Sequence, residues 1–168
     1  VRRGEAGRRV AGWSGGGRGL TCDLIEASGR GRDTGHPPFG HAGGRFLSAG
    51  YRARTGRTVD HNVHSVRVRD NLYRRNISLQ TLDGVLCHNG EFAQQVLRMG
   101  DTADFAALDR LVEACTADEL AIKTLRPSTP EGCVVPLTHL IASVRTERAH
   151  ALDMGVIASP PLVDCHVL

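Results

Sequence analysis

The segment Gly35–Gly44 (GHPPFGHAGG) constrains this chain more than any other. Two prolines and four glycines in ten residues remove backbone donors and raise the entropy cost of order, so neither helix nor strand is expected. The segment is expected to be a shaped loop, with helices before and after it. Asp23–Ala27 (DLIEA) is the first helical fragment. Asp60 is a plausible N-cap for a helix over His61–Arg75, with His61, Ser65, Val68 and Leu72 on one stripe. Ser78 is placed to cap a second helix that stops at Asn89-Gly90. Asp104–Cys115 is amphipathic, with Phe105, Leu108, Leu111 and Val112 on one face. The last helix opens at Thr129-Pro130-Glu131 and carries Val134, Leu137, Ile141 and Val144 at helical spacing, with a kink expected at Pro136. No stretch alternates as a strand would, so the fold class is all-α.

The 168 residues suit one domain, and with aromatics at only 4% its core has to be aliphatic. No apolar run reaches the roughly 18 residues of a membrane-spanning helix, so no membrane partner is expected. The stretch Val1–Gly19 is rich in Arg and Gly, unlike a secretory leader, and residues 1–18 are expected to form a poorly ordered arm. Residues 158–168, entered through Pro160-Pro161, are expected to be a tail. Five scattered cysteines (Cys22, Cys87, Cys115, Cys133, Cys165) form no C-x-x-C pair and read as reduced thiols, hence a cytoplasmic location. Charge is uneven: residues 1–84 hold 15 Arg against 7 acids, while the remainder is acidic. Lys123 is the only lysine. Arg-rich text either follows GC-rich coding or serves phosphate recognition, with single-stranded nucleic acid as a possible partner.

Four histidines, His36, His41, His61 and His64, fall close together in the first half, with Asp33 three residues before the first. A bent D-x-x-H-x-x-x-x-H loop can aim several side chains into one cavity. Imidazole and carboxylate are the ligand set of Mn, Fe, Ni or Zn. His61, at a helix start, faces the positive end of the dipole, which favours a neutral ring. His64 lies one turn further along. The plain alternative is that each histidine caps a loop or faces solvent.

Asp33–Gly43 (DTGHPPFGHAG) resembles the H-D-x-G-H-x-P-F-G-H-x-G-E signature of the HD-domain superfamily, specifically the deoxynucleoside triphosphate triphosphohydrolases. Gly19–Ala27, His61–Val68, Ile77–Glu91 and Arg126–Val135 agree with further segments of that family, in its order. The likeness runs from about Gly19 to Ile157, and residues 19–157 are therefore expected to be an HD-domain-like region, incomplete at its N-terminal side. The resemblance implies an all-α, metal-dependent phosphohydrolase that splits a dNTP into deoxynucleoside and triphosphate, and a homo-oligomer.

Carried over residue by residue, the resemblance makes Asp33 a metal ligand and His41 and His61 catalytic groups that position or move a proton. It places His139 where the family has a distant Asp, as a second candidate ligand. His36 matches another loop histidine and, with His64, is a candidate substrate-binding residue. The divalent metal is Mn, Mg, Fe, Ni or Zn. Departures are equally specific. Arg32 replaces the histidine of the His-Asp pair, Gly44 replaces a glutamate, and no histidine precedes His36. A guanidinium at position 32 repels a divalent ion by several kcal/mol, to order of magnitude. Two rival readings follow: a nucleotide- or nucleic-acid-binding helical protein without catalysis, and a general metal-binding protein using the four histidines.

Overall fold

A computed structural model describes residues 19–72, 76–89 and 98–156, apart from the side chains of 139–143, 145–147 and 150. The expected arm, the Pro160-Pro161 tail and Cys165 lie outside the described residues. Seven helices occur among those described: α1 (Cys22–Gly31), α2 (Gly40–Thr55), α3 (His61–Arg67), α4 (Leu79–Leu86), α5 (Phe105–Ala117), α6 (Ala121–Thr124) and α7 (Pro130–Asp153). A π-helical turn, Val68–Leu72, continues α3. The described residues contain no strand, and the protein is all-α.

Local chemistry sets most of the helix starts. The side chains of Asp60, Ser78 and Asp104 accept hydrogen bonds from the backbone N–H groups of Asn62, Thr81 and Ala107, as N-caps do. Pro130 occupies the first position of α7, where its missing N–H costs nothing, and Glu131 follows in the first turn. The Glu131 carboxylate also accepts from the Thr21 N–H at 2.9 Å, which joins the start of α7 to the start of α1.

The core gathers around α4. Val63 and Val66 of α3, Leu82, Val85 and Leu86 of α4, Cys87, Leu108 and Cys115 of α5, Ile122 of α6 and Leu125 form one buried cluster. Helix α1 packs against α4 and α7, and α4 also packs against α3, α5 and α7. The approach of α1 to α4 needs Gly84, where a Cβ would lie 2.7 Å from Ser28 Oγ. Asp83, fully buried, is satisfied at Oδ2 by the N–H of Ser128 at 2.7 Å and by its hydroxyl at 2.9 Å. That pair fixes the strand of chain entering α7 against α4.

Four local expectations need correction. The Pro/Gly loop ends at Phe39, not Gly44: the left-handed φ of Phe39 and Gly40 closes it, and beyond them no proline stops the helix, while the four glycines of α2 each weaken it by only about 1 kcal/mol. The expected helix over His61–Arg75 is α-helical only to Arg67 and then widens into the π turn; residues 73–75 lie outside the description. Phe105 is 51% exposed, because the first turn of α5 overhangs the core that Leu108 and Cys115 enter. Val144 is exposed; among the described side chains of α7, Cys133, Val135 and Thr138 are buried, and that of Ile141 lies outside the description.

Candidate metal and phosphate site

Asp33 follows α1 directly and adopts φ +61, a left-handed conformation that Asp tolerates better than most residues. Such strain is sustained when surrounding packing over-determines it. Here the flanking Arg32 is almost fully buried, and Gly35 rests on the backbone of α3. A Cβ at Gly35 would lie 2.4 Å from Ser65 N, so only glycine allows this approach. The Gly35 N–H donates to Ser65 Oγ at 2.9 Å, and that hydroxyl in turn donates to the His61 carbonyl at 2.7 Å. The loop is therefore registered on α3 by two successive hydrogen bonds, which brings residues 33 and 61 together.

The rings of His36, His41 and His61 form a triangle with centroid separations of 5.3, 4.9 and 5.7 Å. Behind it, His61 Nε2 lies 4.0 Å and His88 Nε2 3.6 Å from Asp33 Oδ1. Two sets of donor atoms, each within 4.8 Å of one another, share His61: an outer one of His36, His41 and His61, and an inner one of Asp33, His61 and His88. The other carboxylate oxygen, Asp33 Oδ2, faces Arg32 Nε at 3.7 Å. The guanidinium thus pairs with the acid on the side away from the rings. Either set suits a divalent ion in donor chemistry.

Burial, opposed first by the Asp60 carboxylate, lowers the His61 pKa from 6.5 to about 4; nearby His88 and His36 push the same way as burial. The ring is therefore neutral at pH 7, as expected from its place at a helix start, although desolvation rather than the helix dipole leads. A chain of side-chain amides also defines its tautomer. Asn62 Nδ2 donates to the Leu86 carbonyl at 2.8 Å, which leaves Asn62 Oδ1 to accept from Asn89 Nδ2 at 3.0 Å. Asn89 Nδ2 also donates to His61 Nε2 at 3.1 Å, so Nε2 carries the lone pair.

In front of the histidines lies a cleft of about 810 Å³ between the loop, α2, the start of α3 and α6. His36, His41, His61 and His64 line it, with Arg45, Arg52 and Lys123 on its walls. Of the residues singled out in the sequence, His36, His41 and His61 come together at the cleft, Asp33 approaches His61 from behind it, and His64 lines the same cleft with an exposed ring. His139 lies within α7, and its side chain is outside the described residues. His88 and Asn89 were not legible as site residues. The available signal was a histidine directly after the apolar run of α4, at a helix end where a ring can reach across the core boundary.

The chain is similar to deoxyguanosinetriphosphate triphosphohydrolase-like proteins. One, from Azorhizobium caulinodans, is 44% identical over 150 residues, covering 83% of this chain and 35% of the relative. Another, from Caulobacter sp. (strain K31), is 42% identical over 85 residues, 46% of this chain and 21% of the relative. A third, from Rhodopseudomonas palustris (strain BisB5), is 42% identical over 87 residues, 48% of this chain and 21% of the relative. The chain thus spans between a fifth and about a third of the length of these relatives. No family model and no solved structure matches it. Among the described residues no helix is long and apolar enough to cross a membrane.

Proposed function

We propose that the site binds a deoxynucleoside triphosphate and hydrolyses it at the α-phosphorus, with a divalent metal, to deoxynucleoside and triphosphate. The observation that carries this reading is the meeting of His36, His41 and His61 at one cleft walled by Arg45, Arg52 and Lys123, with Asp33 behind His61. The names of the relatives agree with it. A divalent ion held by these side chains would lower the pKa of water and neutralise charge on phosphoryl oxygens. The protein's own contribution is positional and electrostatic. Arg45, Arg52 and Lys123 meet the polyphosphate, and the His36 ring donates to its oxygens. Water forms a new P–O bond while the bond from phosphorus to the 5′-oxygen breaks. His41, exposed at the start of α2, delivers the proton that the leaving 5′-oxygen needs. A cytoplasmic setting and a homo-oligomeric assembly belong to the same proposal, the second open to light-scattering mass measurement.

Incubation with Mn²⁺ and each dNTP, followed by detection of triphosphate, tests the reading. Product from the wild type that is lost in Asp33→Ala and His41→Ala is the expected result. Equal rates in all three proteins would remove both residues from the mechanism.

One observation favours a second reading, binding without turnover: Arg32 engages Asp33 at the position where the resemblance implies a neutral ligand. Titration of labelled dGTP and single-stranded DNA in EDTA, over a salt series, separates the two. Saturable, salt-sensitive binding without triphosphate release selects the second.

A further inference from the structure

Helix α2 buries no side chain, yet it carries His41 to within reach of two rings from other parts of the fold. His36 comes from the loop after α1, His41 is the second residue of α2, and His61 is the first residue of α3. One ring nitrogen of each lies within 4.8 Å of the others. The ring centroids are 5.3, 4.9 and 5.7 Å apart, and the ring planes are inclined by 66, 47 and 74°. Three imidazoles on a tetrahedral ion, at the roughly 2.0–2.1 Å of a zinc–nitrogen bond, have centroids about 5.2 Å apart. The triangle therefore has the size of a three-histidine metal site, and mutually tilted rings are what convergence on one point requires. Two of the rings are also held from outside. His36 Nδ1 donates to the Pro37 carbonyl at 3.3 Å, which leaves the lone pair on Nε2. His61 has its lone pair on Nε2, where the Asn89 amide donates, and turns Nδ1 toward the Asp60 carboxylate at 4.0 Å. A ring whose second nitrogen faces a carbonyl or carboxylate is the usual form of a metal-bound histidine.

We propose that His36, His41 and His61 together bind one transition-metal ion at the mouth of the cleft, and that this ion fastens α2 to the rest of the protein. The set contains no carboxylate; Asp33 lies behind His61 and outside it. Three imidazoles favour Zn, Co, Ni or Cu over Mg and Ca, which prefer an all-oxygen shell. Three ligands leave a tetrahedral ion one open position, which a water or an anion from the cleft fills. Asn89 gives up its bond to His61 and keeps Asn62 Oδ1 as acceptor. The mechanical consequence follows from what α2 lacks. Its other links are the exposed Arg52–Glu119 pair, which contributes little, and the bond from the Val59 N–H to Ser48 Oγ. Coordination by rings from three separate elements supplies the attachment that apolar burial does not, because a site assembled only in the folded chain turns binding energy into order. A ligated His41 has no proton to deliver, so the ion-bound state is closed to the hydrolysis proposed above. That last consequence alone rests on the phosphohydrolase reading.

The test uses the full chain after chelator treatment. Titration with Co²⁺, read by visible absorption, and with Zn²⁺, read by calorimetry, is expected to show an ion whose affinity falls at least about 10-fold in His36→Gln and in His41→Gln. The same ion is expected to bind unchanged in Asp33→Asn and in His64→Gln, which alters an exposed histidine of the same cleft that is outside the set. His41 is exposed on a helix with no buried residue, and Asn tolerates the left-handed backbone of position 33, so these variants leave the core intact. Hydrogen exchange supplies the second readout: amides of residues 40–55 are expected to slow by roughly 10-fold or more when Zn²⁺ is added to the wild type, and not in His41→Gln. Binding kept in His41→Gln and lost in Asp33→Asn would place the ion on the carboxylate and overturn the proposal. So would a wild type that binds neither ion, or one that binds with exchange in α2 unaltered. Triphosphate release by a chain that binds no ion at His41 would remove this site and leave the hydrolase reading intact. Ion binding with slowed exchange, in a chain that cleaves no dNTP, would do the reverse.

Discussion

Helices α4 and α2 make opposite use of their sequences. Helix α4 has eight residues, of which Leu82, Asp83, Gly84, Val85 and Leu86 are buried, and Cys87 and His88 extend the buried run. Helix α2 is twice as long, with 16 residues, and buries none. Its Phe46 is 85% exposed, and Leu47 and Tyr51 are also in contact with solvent. The links from α2 to the rest are polar and shallow: Ser48 Oγ accepts from the Val59 N–H, and Arg52 pairs with Glu119 at 3.8 Å with both side chains exposed. Exposed pairs of this kind contribute little. Helix length therefore does not measure a helix's share of the fold; apolar area removed from water does. The contrast extends into the site, where Asp33, His61 and His88 adjoin the core while His41 rides on the helix that the core does not hold.

Leu82→Ala should break this comparison most visibly. Removing a fully buried leucine from the centre of the cluster is expected to cost about 2–5 kcal/mol, against at most about 0.5 kcal/mol for Phe46→Ala on α2. Urea unfolding followed by circular dichroism measures both, and comparable losses would mean that α2 is packed after all.

Asp83→Asn sharpens the picture next, because it removes the negative charge that Ser128 solvates while nearly preserving shape. A loss of about 1.5–3 kcal/mol is expected, the range for hydrogen bonds to a charged group, and a variant as stable as the wild type would show that the carboxylate bonds are not needed. The cysteines provide the smallest effect. Burial raises the Cys115 thiol from 9.0 to about 11 and pushes Cys87 and Cys133 up as well, whereas Cys22 is exposed. Alkylation at pH 8 should label Cys22 first. Between pH 9 and 11 the unfolded chain loses the Cys115 proton while the folded chain keeps it, so this contribution to stability is present below pH 9 and falls as pH rises through 11. Melting temperatures that stay flat across that interval would contradict it.

Much of the fold was legible because its signals are local. Caps at Asp60, Ser78 and Asp104 and the Pro130 start are read within one helical turn, and each appears where the residues announce it. The end of the Pro/Gly loop and the burial of Phe105 and Val144 were misjudged for the opposite reason: periodicity says which residues share a face, not which face finds a partner. The candidate site divides along the same line. Asp33, His36, His41 and His61 stood out through crowding and through likeness to a known motif. His88 lies 55 positions after Asp33, within the family-like segment Ile77–Glu91, but nothing in the spacing gave it a role.

The amino-acid sequence by itself determined an all-α chain with a stiff, bent loop of histidines, since proline, glycine and capping side chains act on their own backbone and need no partner. Only the tertiary structure decided that α4 would be the centre of the core and α2 a bare helix. It also turned Asp33 into the left-handed region, against Arg32 on one side and His61 and His88 on the other. Burial and the meeting of distant side chains are properties of the packed whole, and desolvation, which governs both stability and the charge state of His61, exists only after packing.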